Sequence, residues 1–370
     1  MKITYIFVTG RIERLEKISN FAKEMFYGYD YFSEKYPTNI IELHDNKNLV
    51  NKFLRIIDKI INKITLLPFN MNNIFSIKNF KIIYNSNQII VSNDRLALSA
   101  LPMFIIAKFF RKKIKIAFFV MGLFVHKKRN FLQSFFHYIL LKLLFKTTNN
   151  VIFLGIEEYD FACREYPKFI KKFNYLPFMV DVKFWKADKL GTPKDGILFV
   201  GNDSNREFEK VLKIASILKD INFTIVSKYY RINKIEVNLE NVKIIDGSWG
   251  NQKITDQELA KLYTKSKLVI IPLIESSQPS GQSVTLQSMS LKTPVMITKT
   301  IGFWDKIHFG HLDNIYFIEN NSLDNWIRSI NETYYDENLL SILAQNGYKL
   351  INKHYTNITF YKKLEKILNI

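Results

Sequence analysis

The chain has 370 residues, with 53 Lys and Arg against 34 Asp and Glu and a formal charge of +19. Its 47% hydrophobic and 24% charged residues exclude a disordered chain, a fibrous one and a coiled coil, and the length gives room for two ordinary domains. Cys163 is the only cysteine, which excludes an intramolecular disulfide framework and Cys-rich metal sites and points to a cytoplasmic setting.

Ile3 to Val8 reads as a strand and Glu13 to Phe26 as a helix, followed by a strand at Ile40 to Leu43 and a helix at Leu49 to Leu66. The alternation continues with Gln88 to Ser92, a helix capped at Asp94 and running to Phe110, Ile114 to Met121, a helix from Phe131 to Lys146, and Val151 to Leu154. Met1 to Val8 is too short for a signal-peptide core and runs into a charged stretch. Leu96 to Ala107 and Asn130 to Leu141, the longest charge-free apolar runs, fall short of the roughly 20 residues that span a bilayer. Phe131 to Phe145 is apolar almost all round, which reads as a core helix, with a half-buried interfacial helix as the other choice.

The charge is concentrated. Residues 51 to 150 hold 17 basic and 2 acidic side chains, and no acidic residue lies between Asp94 and Glu157. Two clusters, Arg111, Lys112, Lys113 and Lys115, then Lys127, Lys128 and Arg129, flank the strand Ile116 to Met121. An acid-free basic stretch interleaved with Phe suits an anionic membrane surface; nucleic acid is the weaker alternative partner. The localisation expected is cytoplasmic, peripheral on the inner face of the cell membrane.

Tyr175-Leu-Pro-Phe-Met-Val-Asp181 and Gly191-Thr-Pro193 read as a connector. Beyond it come the strand Ile197 to Gly201, a helix from Arg206 to Leu218, and strands Phe223 to Ser227 and Val242 to Ile245. A helix Asp256 to Ser266, a strand Leu268 to Pro272, a helix Gly281 to Leu291 and a strand Pro294 to Thr298 continue the series. Ile315 to Ile318 and helices from Leu323, at Glu337 to His354 and at Phe360 to Leu368 end it. The expected class is α/β, two Rossmann-like doubly wound domains facing an interdomain cleft. Residues 1–185 are expected to form an N-terminal domain and 186–355 a C-terminal one. The last helix, 356–370, returns to the first domain as one alternative.

Leu268 to Pro272 is a buried strand followed by the small and polar loop Glu275-Ser-Ser-Gln-Pro-Ser-Gly281 and a helix start. A helix N-terminus behind such a loop presents free backbone N–H groups and a positive dipole end, which suits a diphosphate at Ser280, Gly281, Gln282, Ser283 and Val284. The six His have no metal-ligand spacing, His308 and His311 included, and no metal site is expected.

Glu258-Leu-Ala-Lys-Leu-Tyr263, Leu268 to Pro272, Leu286-Gln-Ser-Met289 and Thr293-Pro-Val295 together resemble the donor-binding half of the GT-B glycosyltransferases, in particular the retaining glycosyltransferase 4 group. Phe199-Val-Gly201 is similar to the strand and glycine that open that half, and Phe178-Met-Val-Asp181 to the family's connector. The resemblance implies transfer of a hexose-type sugar from a nucleotide-diphosphate sugar, without a metal or other cofactor, to a glycan or lipid-linked acceptor. A nucleotide-sugar epimerase and a non-catalytic sugar-nucleotide or nucleic-acid binding protein are the alternatives.

The resemblance also implies site residues. Arg206, with Lys210 a turn further along, stands where the family places cations for the leaving diphosphate; Lys228 is a second candidate, and Glu275 a displaced substitute for the first of two family carboxylates. The second carboxylate falls on Gln287, which retains hydrogen-bonding capacity toward ribose hydroxyls without the charge. The tandem glycine of the family's N-terminus is reduced to Gly10, and the usual His of Thr-His-Gly is Met121.

Overall fold

The computed structural model describes residues 1–17, 20–43, 49–111, 113–125, 128–187, 194–248 and 253–370. Lys112, Lys127 and the connector residues Gly191 to Pro193 lie outside the described residues. The chain forms two compact units: Met1–Glu16, Met25–Pro177 and Tyr361–Ile370 make the first, and Lys17–Glu24 with Phe178–Phe360 the second.

The first unit is built on a parallel sheet of β1 (Ile3–Phe7), β2 (Thr38–Glu42), β3 (Gln88–Val91), β4 (Lys115–Val120), β5 (Asn150–Phe153) and β6 (Phe173–Tyr175) in the order β2-β1-β3-β4-β5-β6. β1 and β3 are buried along their whole length, which is why they read as unbroken apolar runs rather than alternating ones. Helices α1 (Arg11–Glu16), α2 (Tyr29–Lys35), α3 (Leu49–Thr65), α4 (Ile77–Tyr84), α5 (Asp94–Phe110), α6 (Phe131–Thr147) and α7 (Ile156–Glu165) flank it. Asn93, not Asp94, caps α5: its side chain accepts from the Leu96 N–H. The Asp94 carboxylate instead accepts from the Met121 N–H at 2.9 Å.

The helix read from Glu13 to Phe26 stops at Glu16, because the N–H groups of Ala22 and Lys23 bond the carboxylates of Asp256 and Asp181 instead of continuing a helix. The reading of Phe131 to Phe145 as a core helix also fails, since Phe131, Leu132, Phe135, Phe136, Ile139 and Leu143 are exposed. Apolar composition all round hid the fact that only the face carrying His137, Leu141, Leu144 and Phe145 is buried.

The second unit carries β7 (Ile197–Val200), β8 (Phe223–Val226), β9 (Val242–Ile245), β10 (Leu268–Ile271), β11 (Val295–Thr298) and β12 (Tyr316–Ile318), all parallel, in the order β12-β11-β10-β7-β8-β9. Helices α8 (Phe208–Ile217), α9 (Tyr229–Ile232), α10 (Asp256–Lys265), α11 (Gln282–Ser290), α12 (Leu323–Tyr334) and α13 (Glu337–His354) belong to it. The strand order reverses between β7 and β10, and in such sheets the crevice at the carboxyl ends of those two strands is the usual ligand site. Residues 178–185 pack with this unit: the Trp185 indole donates to Glu24, and its carbonyl accepts from Ser290 Oγ.

The final helix, α14 (Asn357–Leu368), runs into the closing segment of the first unit. There Tyr361 donates to Asp30 at 2.8 Å and stacks on Tyr31, and Lys35 pairs with Glu365 at 2.7 Å. Among the described residues no helix is long and apolar enough to cross a membrane.

Candidate functional site

β7 and β10 end side by side, and the loops that leave them are tied together. The Glu207 N–H bonds the Pro272 carbonyl, the Ile274 N–H bonds the Asn205 carbonyl, and Arg206 bridges Leu273 in antiparallel fashion. The expected helix start at Arg206 therefore shifts to Phe208, because residues 205 to 207 are held extended against the other loop. Asn205 Nδ2 reaches Ser280 Oγ at 2.7 Å and Gln278 Oε1 at 3.1 Å, fixing the stretch ahead of α11.

The Arg206 side chain folds back over its own loop. A Cβ on residue 201 would lie 2.4 Å from its Nε, so Gly201 is the residue that makes room for it. On the other side, a Cβ on Gly281 would come 3.6 Å from Arg206 Nη1. Arg206 is only 5% exposed, and its Nε and Nη1 have no hydrogen-bond partner; Nη2 lies 3.5 Å from the half-exposed Asp203 carboxylate. Burial pulls the guanidinium below its ordinary value, with Asp203 opposing, yet a guanidinium remains cationic in any protein environment. A buried cation with two idle donors is costly unless an anion completes it.

Gly281 supplies the second half of the site. It sits in the left-handed region, at φ +87, immediately before α11, and no side chain caps the helix. By helix geometry the first backbone N–H groups of α11 have no intrahelical acceptor. Gln282 and Val284 are buried and Ser283 half-buried in this first turn. Helix terminus and Arg206 together make one positive locus at the switch point.

Beside it opens a cavity of about 670 Å³ lined by Asn202, Arg206, Lys210, Lys228, Tyr229 and Ile232 among others. Asn202 Oδ1 accepts from the Lys228 N–H at 2.8 Å, which places Lys228 at the rim where β8 ends. Lys210, also in the lining, is engaged: its ammonium bonds Glu207 and the Asn321 carbonyl, both at 2.6 Å.

The remaining candidates are placed differently. Glu275 Oε1 accepts from the Ile301 N–H at 2.8 Å and closes one loop onto another. Gln287 is buried, with its carbonyl accepting from Tyr263 at 3.2 Å and its NH2 donating to Glu24 at 2.9 Å. Both ends of its amide are thus engaged inside the unit. Gly10 lies in the first unit, at φ +89, and the adjoining start of α1 is already occupied by Glu42, whose Oε1 accepts from the N–H groups of Arg11 and Ile12. Met121, in the same unit, stands on a turn held from beneath by two buried carboxylates, Asp94 and Glu158, the latter accepting from Gly122 and Phe124.

Sequence reasoning did not single out Glu24, Asn205 or Gly302. Glu24 is buried and gathers three donors: the Trp185 indole at 2.7 Å, Gln287, and the Asp181 N–H. Burial pushes its carboxyl up to about 7 against the pull of those hydrogen bonds. A Cβ on Gly302 would meet the Ser276 carbonyl at 2.5 Å, so glycine there admits the loop carrying Glu275. Asn205 could have been found from its position in Gly201-Asn-Asp-Ser-Asn-Arg206; the other two carry no local signal.

The two parallel-sheet Rossmann-like units match the fold of solved GT-B glycosyltransferases. The chain is similar over its whole length to HepE of Anabaena solved with UDP-glucose (13% identity, TM-score 0.65, covering 99% of that chain). It is likewise similar to sucrose-phosphate synthase of Thermosynechococcus elongatus (11%, TM-score 0.71, 98% of that chain). A glycosyltransferase of Rickettsia africae matches at 14% identity and TM-score 0.66 over 97% of its length, again with all of this chain covered. No family sequence model and no curated protein sequence matches.

Proposed function

We propose that the second unit binds a nucleotide-diphosphate sugar and that the protein is a glycosyltransferase. The observation that carries this reading is the buried Arg206 guanidinium, idle at Nε and Nη1 beside the uncapped α11 N-terminus. A diphosphate supplies the acceptor oxygens that both features want, and it develops further negative charge as the glycosidic bond breaks. Lys228 is placed to meet a phosphate oxygen or base from the cavity side. The solved structure of HepE with UDP-glucose, on the same fold, supports a uridine nucleotide as the first ligand to try.

In this reading no protein side chain attacks the sugar. Arg206, Lys228 and the helix terminus hold the diphosphate as its bond to the anomeric carbon breaks; the acceptor hydroxyl attacks that carbon from the face the diphosphate leaves, its proton passes to the departing phosphate, and the configuration is retained. The acceptor is a glycan or a lipid-linked sugar. A thermal-shift panel of UDP, GDP, ADP and their glucose conjugates tests the binding step, because a ligand at 100 times its Kd stabilises by about 2.7 kcal/mol. Release of the diphosphate from the conjugate then separates an enzyme from a binding protein. Interconversion of the sugar without release marks an epimerase, and no shift with any nucleotide rejects the proposal.

A further inference from the structure

The first unit exposes a long apolar face that none of its described residues covers. On α3, Phe53, Ile56, Ile60 and Ile64 recur at i, i+3, i+7 and i+11, and all four are exposed, Phe53 at 64%. Lys52, Arg55, Lys59 and Lys63 follow the same spacing one residue earlier and are exposed too, so a cationic stripe runs parallel to the apolar one. Asp58, the one acidic residue of α3, is buried and bonded to the N–H groups of Met71 and Asn72. The outward face is therefore purely cationic and apolar.

α6 extends this face. Gln133 donates to the Lys63 carbonyl at 3.1 Å and His137 bonds the Thr65 carbonyl at 3.0 Å, fixing the start of α6 beside the end of α3. Phe131 at 84% exposure, Leu132, Phe135, Phe136, Ile139 and Leu143 project from it, with Lys142 and Lys146 as its charges and no acid. At the far end Lys108 ties α5 to α6 through the Thr147 carbonyl, and Phe109 and Phe110 stand exposed beside it. Isolated exposed apolar residues are ordinary, but three neighbouring helices contributing a dozen of them make a patch that soluble surfaces avoid.

We propose that this face, α3 and α6 with the end of α5, docks the protein on an anionic lipid bilayer by seating its Phe and Ile side chains at the acyl boundary. The lysines alongside then meet the headgroup phosphates. Apolar anchors flanked by an acid-free cationic stripe are the two complementary halves of interfacial binding. A second copy of the chain suits the surface poorly, since a two-fold interface would set the Lys52 to Lys63 stripe against or beside its own image. The inference is independent of the donor site, because vesicle binding is read without nucleotide or turnover.

The test is co-sedimentation of the full chain with vesicles of phosphatidylcholine alone and with phosphatidylglycerol added, at low and high salt. Binding should require the anionic lipid and weaken, without vanishing, as salt rises, because the charges are screened and the apolar anchors are not. The triple variant Ile56→Gln, Ile60→Gln, Phe135→Gln should partition at least about tenfold less at every salt concentration. The pair Lys52→Glu, Lys59→Glu should remove the preference for anionic lipid. Circular dichroism of each variant verifies folding, which these exposed sites leave intact. Equal binding by parent and triple variant, or none by the parent to anionic vesicles at low salt, overturns the proposal. So does a parent that sediments as a dimer without lipid and becomes monomeric in the triple variant, or one that binds only nucleic acid.

Discussion

Gly201 and Arg206 occupy one another's space: the guanidinium lies where residue 201 would carry its Cβ, 2.4 Å from Nε. The glycine that follows β7 is the gap through which a cation is buried. Burial with Nε and Nη1 unpartnered strains the free protein and readies the site for an anion. Arg206→Met, which keeps the apolar stem, should raise the stability of the nucleotide-free protein by about 1–3 kcal/mol while abolishing its thermal shift with UDP. Melting curves with and without UDP read both effects. A destabilised variant that still responds to UDP would remove Arg206 from the site.

The left-handed backbone at Gly281 gives the second prediction. A Cβ there would press Ile297 at 3.0 Å as well as adopt a conformation that L-residues avoid. Gly281→Val should cost about 2 kcal/mol or more of stability and eliminate nucleotide binding, because the first turn of α11 must shift to accommodate it. Gly281→Ala should do the same to a smaller extent. Isothermal titration with UDP is the measurement, and parental affinity in Gly281→Val would place the phosphate elsewhere.

A pH dependence follows from Glu24. In the folded unit its carboxyl holds a proton up to about 7, whereas its ordinary value is 4.5. Between those values the folded state binds more protons than the unfolded one, so the contribution of Glu24 is fully present below pH 4.5 and is lost as pH rises to 7. The slope approaches about 1.4 kcal/mol per pH unit for one such group. Trp185, Trp304 and Trp326 all belong to the second unit, so urea unfolding followed by tryptophan fluorescence reports on this unit. Glu24→Gln should flatten the decline between pH 5 and pH 7. An unchanged slope would mean that Glu24 is already ionised in the folded protein.

The alternating fold was legible because parallel strands buried on both faces leave apolar runs such as Leu268 to Ile271. The Gly/Ser loop and Arg206 were legible as types of residue at the end of a strand. What could not be read was tertiary: that Arg206 is buried, that Lys210 is spent on Glu207, and that Glu24 reaches Gln287 across 263 residues. Nor does composition tell which side of an all-apolar helix faces outward, as the one-sided burial of α6 shows.

Glu24 and Gln287 carry the last prediction. The resemblance to glycosyltransferases places a carboxylate where Gln287 stands, and the structure sets the Glu24 carboxylate 2.9 Å from the Gln287 amide, donated by a segment remote in sequence. Restoring the acid at 287 alone would bring two buried carboxyl groups together, with Tyr263 able to bond only one of them. Like charges at that distance cannot both ionise, so Gln287→Glu should lose about 2–4 kcal/mol at pH 8 and less at pH 5, where the pair shares a proton. The exchanged pair, Glu24→Gln with Gln287→Glu, keeps one carboxyl and one amide in contact and should recover most of that loss. A double-mutant cycle by urea unfolding at the two pH values gives the interaction energy directly. If Gln287→Glu is as stable as the parent at pH 8, the two side chains do not share a buried site; if the exchange recovers nothing, Glu24 is held by Trp185 and Asp181 in a geometry that the amide cannot reproduce.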